Sequence, residues 1–93
     1  MVLLLITIEA QPTKCRELEQ TLRLLVGQVR EEPGCLTSHV YRDVEQSQVL
    51  CLVGLWATQA DVDAHMQTDH WKILGGATEL LGRTTQIQRC GVL

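Results

Sequence analysis

The sequence predicts an α+β fold with elements in the order β-α-β-β-α-α-β. Three observations carry this. A near-continuous apolar run from Val2 to Ala10 reads as a strand covered on both faces. Leu18, Leu22, Leu25, Val26 and Val29 then recur at helical spacing, with Arg16, Glu19, Gln20, Arg23 and Arg30 largely outside the stripe. Leu36 to Arg42 and Gln48 to Trp56 flank a polar loop, Asp43 to Ser47, as the arms of a hairpin.

The punctuation agrees with this order. Pro12 suits the first turn of the first helix, because its missing N–H has no helical partner there in any case. Pro33-Gly34 ends that helix: proline disfavours helical geometry in the residue before it, and glycine permits the turn. Thr58 with Asp61 has the spacing of a helix-start cap, and the short helix it opens runs to about Gln67. Thr68-Asp69 caps another helix, to about Leu81, with Gly82 as its C-cap. Thr84 to Val92 supplies a last, more polar strand. This order makes a ferredoxin-like antiparallel sheet with its helices on one face. The third strand then predicts an assembly. Val49, Cys51, Val53 and Leu55 are apolar on one parity, and Leu50, Leu52 and Trp56 on the other. Helices can cover one face only, so a monomer would expose a large apolar patch. A homodimer formed through the sheet faces is expected.

Composition narrows the function classes. The 93 residues make a single domain, 1–93, with no Phe and only 3% aromatics, so its core is built from Leu, Val, Ile and Ala. A net charge of −3 leaves no basic footprint for nucleic acid. The N-terminal run lacks a positive flank and a cleavage site and is too short to span a bilayer, so no membrane partner and a cytoplasmic location are expected. Cys15, Cys35, Cys51 and Cys90 are scattered without C-x-x-C or zinc spacing. They are expected to be reduced thiols at small, buried apolar positions, and no metal site is expected. No phosphate-cradling loop, flavin or nicotinamide motif, activated nucleophile or carboxylate pair is present, so no cofactor is expected.

Three segments carry the chemistry: Glu32-Pro33-Gly34-Cys35-Leu36, then Leu55-Trp56, then Ala64-His65-Met66-Gln67-Thr68-Asp69-His70-Trp71. Their order resembles the antibiotic biosynthesis monooxygenase (ABM) domains of the dimeric α+β barrel superfamily. The pattern there is E-P-G-C-L, E-x-W and A-H-x-x-[ST]-x-H. The resemblance covers nearly all of the chain. It implies a cofactor-independent monooxygenase or quinol-oxidising enzyme acting on a small phenolic or polyketide-like substrate, with His65 lining the pocket.

The residues permit that role without requiring it. Val62, His65 and Met66 share an inward-leaning helix face, and histidine serves as a base near neutral pH without special tuning. The same position suits a core-edge histidine with a hydrogen-bonded ring. Trp56 offers a flat platform and an N–H donor, or fills the core of a chain without Phe. Gly54, Met66 and Tyr41 complete the set of substrate contacts. Tyr41 shares its strand parity with Cys35, Thr37 and His39 and can also face the partner sheet. Trp71, with Leu74, is read as packing and His70 as a surface residue.

The chain departs from the family pattern at two places. Gly54-Leu55-Trp56 stands where E-x-W is expected, so a carboxylate that would orient the histidine is missing. Gly75-Gly76 lies mid-helix, where each glycine costs about 1 kcal/mol relative to alanine, and both could widen the same cavity. The chain contains no Asn, which the quinone-forming and haem-degrading relatives use in the pocket. The haem-degrading relatives also have Trp where this chain has His65 and His where it has Gly75. A monooxygenase here must therefore use His65, Trp56 or Tyr41 differently. The other readings are a non-catalytic dimeric barrel that binds a small ligand, or an isomerase of a small carbonyl compound, since one fold hosts many functions.

Overall fold

The computed structural model describes residues 1–92. The elements are β1 (Val2–Ala10), α1 (Cys15–Val29), β2 (Cys35–Arg42), β3 (Val49–Trp56), α2 (Gln59–His65), α3 (Asp69–Leu81) and β4 (Gly82–Gly91). They form one four-stranded sheet in the order β2-β3-β1-β4, with every neighbouring pair antiparallel. The predicted order of elements and the antiparallel sheet are both present. Helix α1 starts later than Pro12 suggests: Pro12 lies in the turn before it.

Alternation along β1 divides the molecule. Val2, Leu4, Ile6, Ile8 and Ala10 are buried, while Leu3, Leu5, Thr7 and Glu9 are only half-buried. The buried set meets Leu18, Leu22 and Leu25 of α1, Val62 of α2, and Leu74 and Leu81 of α3 in one core. At about 25 cal/mol per Å² of apolar surface removed from water, this aliphatic cluster supplies most of the driving force for folding. The other face carries Leu3 and Leu5 beside Val53, Leu55 and Cys51. No helix covers it.

Two glycines are required by geometry. Gly34 has φ +81°, and a Cβ there would lie 2.1 Å from Asp61 Cγ. Gly82 is not the left-handed cap that its position suggests. Its φ of −175° is extended, and it is needed because a Cβ would meet the Glu9 carbonyl at 2.3 Å. The Gly34 conformation alone should make Gly34→Ala cost about 1–2 kcal/mol, before any displacement of Asp61. Denaturant unfolding checks this; a variant as stable as the wild type would contradict it.

A bulge between Cys35 and Thr37 changes the parity of β2. Cys35, which pairs with Trp56, consequently lies on the helix side, whereas Thr37, His39 and Tyr41 pair with Leu55, Val53 and Cys51 on the open face. The shared parity read for Cys35 and Tyr41 is thus broken by the extra residue, Leu36.

Candidate functional site

The turn after α1 places Glu32. Its N–H donates to Val29 O at 3.0 Å, and Cys35 N–H donates back to Glu32 O at 3.2 Å. Ala57 N–H donates to Gly34 O at 2.8 Å, tying this turn to the end of β3 beside Trp56. Across from it, α2 ends at His65 and α3 begins at Asp69. Thr68 joins the two helices: its hydroxyl donates to His65 O at 2.7 Å and accepts from Trp71 N–H at 3.2 Å. His65 and His70 therefore flank one break and turn toward the same carboxylate.

That carboxylate is Glu32. His65 Nδ1 lies 3.0 and 3.1 Å from its two oxygens, and His70 Nδ1 lies 3.2 Å from Oε2. The Glu32 and His65 side chains are only 10% and 7% exposed, and His70 is 31% exposed. An ionised carboxylate can only accept, so wherever either ring is neutral this contact favours the tautomer with the proton on Nδ1 and the lone pair on Nε2. Two tryptophans fix the His65 ring: Trp56 stacks at 4.6 Å between centroids with a 33° tilt, and Trp71 approaches edge-on at 5.4 Å.

His65 and His70 line a cavity between α1, α3 and the sheet, with Leu25, Val29, Ser38 and Trp56 among its walls. The void measures about 440 Å³ with its open mouth, of which about 40 Å³ admits the centres of water-sized molecules. Trp56 is buried at 1% exposure, and its indole Nε1 has no hydrogen-bond partner among the described residues. It leans over Gly54, where a Cβ would come within 2.8 Å of Nε1. The space freed by Gly54 is thus taken up by the indole edge rather than left open.

The expected site residues separate here. His65, Trp56 and Gly54 share the cavity. Met66 packs against the core beside it and is not among the lining residues. Tyr41 is exposed on the open sheet face, with the sheet between it and His65. Gly75 lines a different cavity, under α3. His70 is half-buried and bonded to Glu32 rather than free at the surface. Glu32 itself is the functional candidate that the sequence reading missed. Its signal was present in the E-P-G-C-L motif, where it was read only as part of a turn.

The cysteines are unpaired, but none is fully buried: Cys15, Cys35 and Cys51 are half-buried and Cys90 is exposed. Cys51 and Cys90 fall on the open sheet face, which explains their exposure. Burial pushes the Cys35 thiol up, and the nearby Glu32 charge adds to this while Arg30 opposes it. A raised thiol holds less thiolate, the reactive form. Native protein at pH 8 should therefore alkylate at Cys35 more slowly than at Cys90, with the gap closing as pH rises through the thiol range. Mass spectrometry of iodoacetamide-treated protein reads this, and faster labelling of Cys35 would contradict it.

Among the described residues, no group of three or more His, Cys, Asp and Glu side chains is arranged to hold a metal ion. No described helix is long and apolar enough to cross a membrane.

This fold, with a histidine-lined cavity between sheet and helices, is that of the ferredoxin-like α+β domains. Residues 1–73 match the family described as antibiotic biosynthesis monooxygenase, and the chain belongs to that family. The protein PA3566 from Pseudomonas aeruginosa is 29% identical in sequence with a TM-score of 0.88, covering 99% of this chain and 93% of that one. A structure named as an antibiotic biosynthesis monooxygenase superposes with a TM-score of 0.88 at 20% identity, covering 100% and 99% of the two chains. The uncharacterized protein sll1783 of Synechocystis is 24% identical over 82 residues, or 87% of this chain. The chain spans 56% of that protein's length.

Proposed function

We propose that the protein is a cofactor-independent, homodimeric monooxygenase or quinol-oxidising enzyme acting on a small electron-rich phenol, and that it works in the cytoplasm. The observation that carries this reading is the Glu32–His65 pair, at 3.0 Å, with His65 and Trp56 on the wall of one cavity. Glu32 holds the proton on Nδ1, so Nε2 of His65 is the base. It removes the substrate's hydroxyl or activated C–H proton, leaving a phenolate or enolate rich enough in electrons to reduce O2. With a hydroquinone, two electrons and two protons pass to O2, giving quinone and H2O2. With an anthrone, one oxygen atom enters the ring carbon and the other leaves as water. Trp56, which lines the same cavity, offers the substrate ring a flat aromatic surface. Glu32 is a positioning residue in this scheme, and through His65 Nδ1 it takes the place of the carboxylate that Gly54 lacks.

The open sheet face supports the dimer. Leu3, Leu5, Val53 and Leu55 are half-buried with nothing over them, and a second copy is the simplest cover for such a patch. The enzyme reading is tested by oxygen uptake: metal-free protein should consume O2 with a hydroquinone or an anthrone above the uncatalysed rate. No uptake, together with saturable binding of the same compounds, would favour the second reading, a ligand-binding barrel. The narrowness of the cavity's depth, about 40 Å³, is the observation on that side.

A further inference from the structure

The second cavity under α3 is separate from the His65 site and has a wall chemistry of its own. It lies between α3 and the sheet, lined by Ile6, Trp71, Leu74, Gly75, Thr78, Thr84 and Ile87, and measures about 120 Å³. Ile6 and Leu74 form the partition, since they line both cavities.

Two features of the lining point to an occupant. Thr78 is only 4% exposed, yet its Oγ1 has no hydrogen-bond partner among the described residues. A buried hydroxyl is ordinarily paired, because leaving it unpaired forfeits its bonds to water. The second feature is Gly75, one turn before Thr78 on the same helix. A Cβ on Gly75 would meet nothing within 4 Å, so the absent side chain is not demanded by packing. Glycine inside a helix is unfavourable relative to alanine, and at this exposed position it leaves the cavity open one turn from the buried hydroxyl.

Volume and polarity set the ligand class. An enclosed apolar protein cavity of about 150 Å³ takes up benzene, and this one, about 120 Å³ and open to solvent where Gly75, Thr84 and Ile87 are exposed, suits a single six-membered ring. Ile6, Leu74, Ile87 and Trp71 favour an uncharged aromatic ring, and of the two threonines in the lining the buried, unpaired Thr78 offers a hydroxyl, both donor and acceptor, that suits one oxygen substituent. No Lys, Arg, Asp or Glu lines the space, which disfavours an ionised ligand. We infer that this cavity is a binding site for a small neutral monocyclic phenol, held by a hydrogen bond to Thr78 Oγ1. The site does not rest on the oxidase reading, because its walls exclude His65 and Glu32.

The test is titration of 15N-labelled protein with phenol and with toluene, followed by two-dimensional NMR. Both should shift amides clustered at Ile6, Gly75, Thr78 and Ile87. Thr78→Val keeps the shape and removes the hydroxyl, so it should weaken phenol by about fivefold to tenfold, one net hydrogen bond, and leave toluene unchanged. Gly75→Leu should fill the space and abolish binding of both. Shifts at Ser38, His65 and His70 are those of the proposed substrate site; shifts there with none at Gly75, Thr78 and Ile87 would place phenol in the other cavity alone and overturn the inference. So would undiminished phenol binding by either variant, or no saturable shift at all. The wild-type shift map decides the location even where a variant does not fold.

Discussion

His65→Ala is expected to lower the rate of O2 uptake with a hydroquinone or anthrone by about 10²–10⁴-fold, the usual contribution of a positioned general base. The loss should fall on the rate more than on substrate binding, because the Trp56 face remains to hold the ring. His65 is the base assigned to this reaction because of what surrounds it. It is buried, its Nδ1 is committed to Glu32, and it lines the cavity that Trp56 also lines. Glu32→Gln is the informative companion. An amide oxygen can still accept from Nδ1, but the amide nitrogen can bond an Nδ1 lone pair equally well, so the ring loses its fixed tautomer. Its activity should lie between those of wild type and His65→Ala. A folded His65→Ala variant that oxidises substrate as fast as wild type would remove the base from the mechanism.

Val53→Asp is expected to abolish the proposed sheet-to-sheet dimer. Val53 lies mid-face between Leu5 of β1 and His39 of β2, where a sheet-to-sheet contact would bury it. Burying an unpaired carboxylate costs several kcal/mol, and two-fold symmetry places two such charges in the interface. Sedimentation should show wild-type protein as a dimer, with an interface above the ~1,000 Å² of a biological contact, and the variant as a monomer or aggregate. A well-folded wild-type monomer at micromolar concentration would refute the sheet-to-sheet assembly.

The strands and helices were legible because their signals are local. The apolar runs of β1 and β3, the stripe on α1 and the Thr58 and Thr68 caps each lie within a few residues of one another. The same local logic pointed His65 inward. Contacts made in tertiary space left no such trace. Glu32 meets histidines 33 and 38 positions away, a pairing set by how α1, α2 and α3 pack. The break between α2 and α3 turns His70 toward that carboxylate, so its place near a helix start misled. The bulge at Leu36 moved Cys35 to the helix side, and inserted residues carry no pattern of their own. Gly54 and Gly75 both suggested a wider pocket beside His65. Trp56 leans over the first, and the second opens on the far side of Ile6 and Leu74. The Glu9–Arg83 and Asp63–Arg89 pairs, at 3.0 and 3.8 Å, are likewise contacts between residues far apart in sequence.

The tautomer of His65 tests the central claim without a substrate. Long-range 15N–1H correlation spectra of the imidazole rings, recorded across a pH titration, distinguish protonated from free ring nitrogens in the neutral form. A His65→Ala variant assigns the signals. With Glu32 accepting from Nδ1–H, the neutral ring should carry its proton on Nδ1 and show Nε2 as a free base, and Glu32→Gln should disturb that preference. A neutral His65 with its proton on Nε2 would have no lone pair to offer the cavity and would contradict the account.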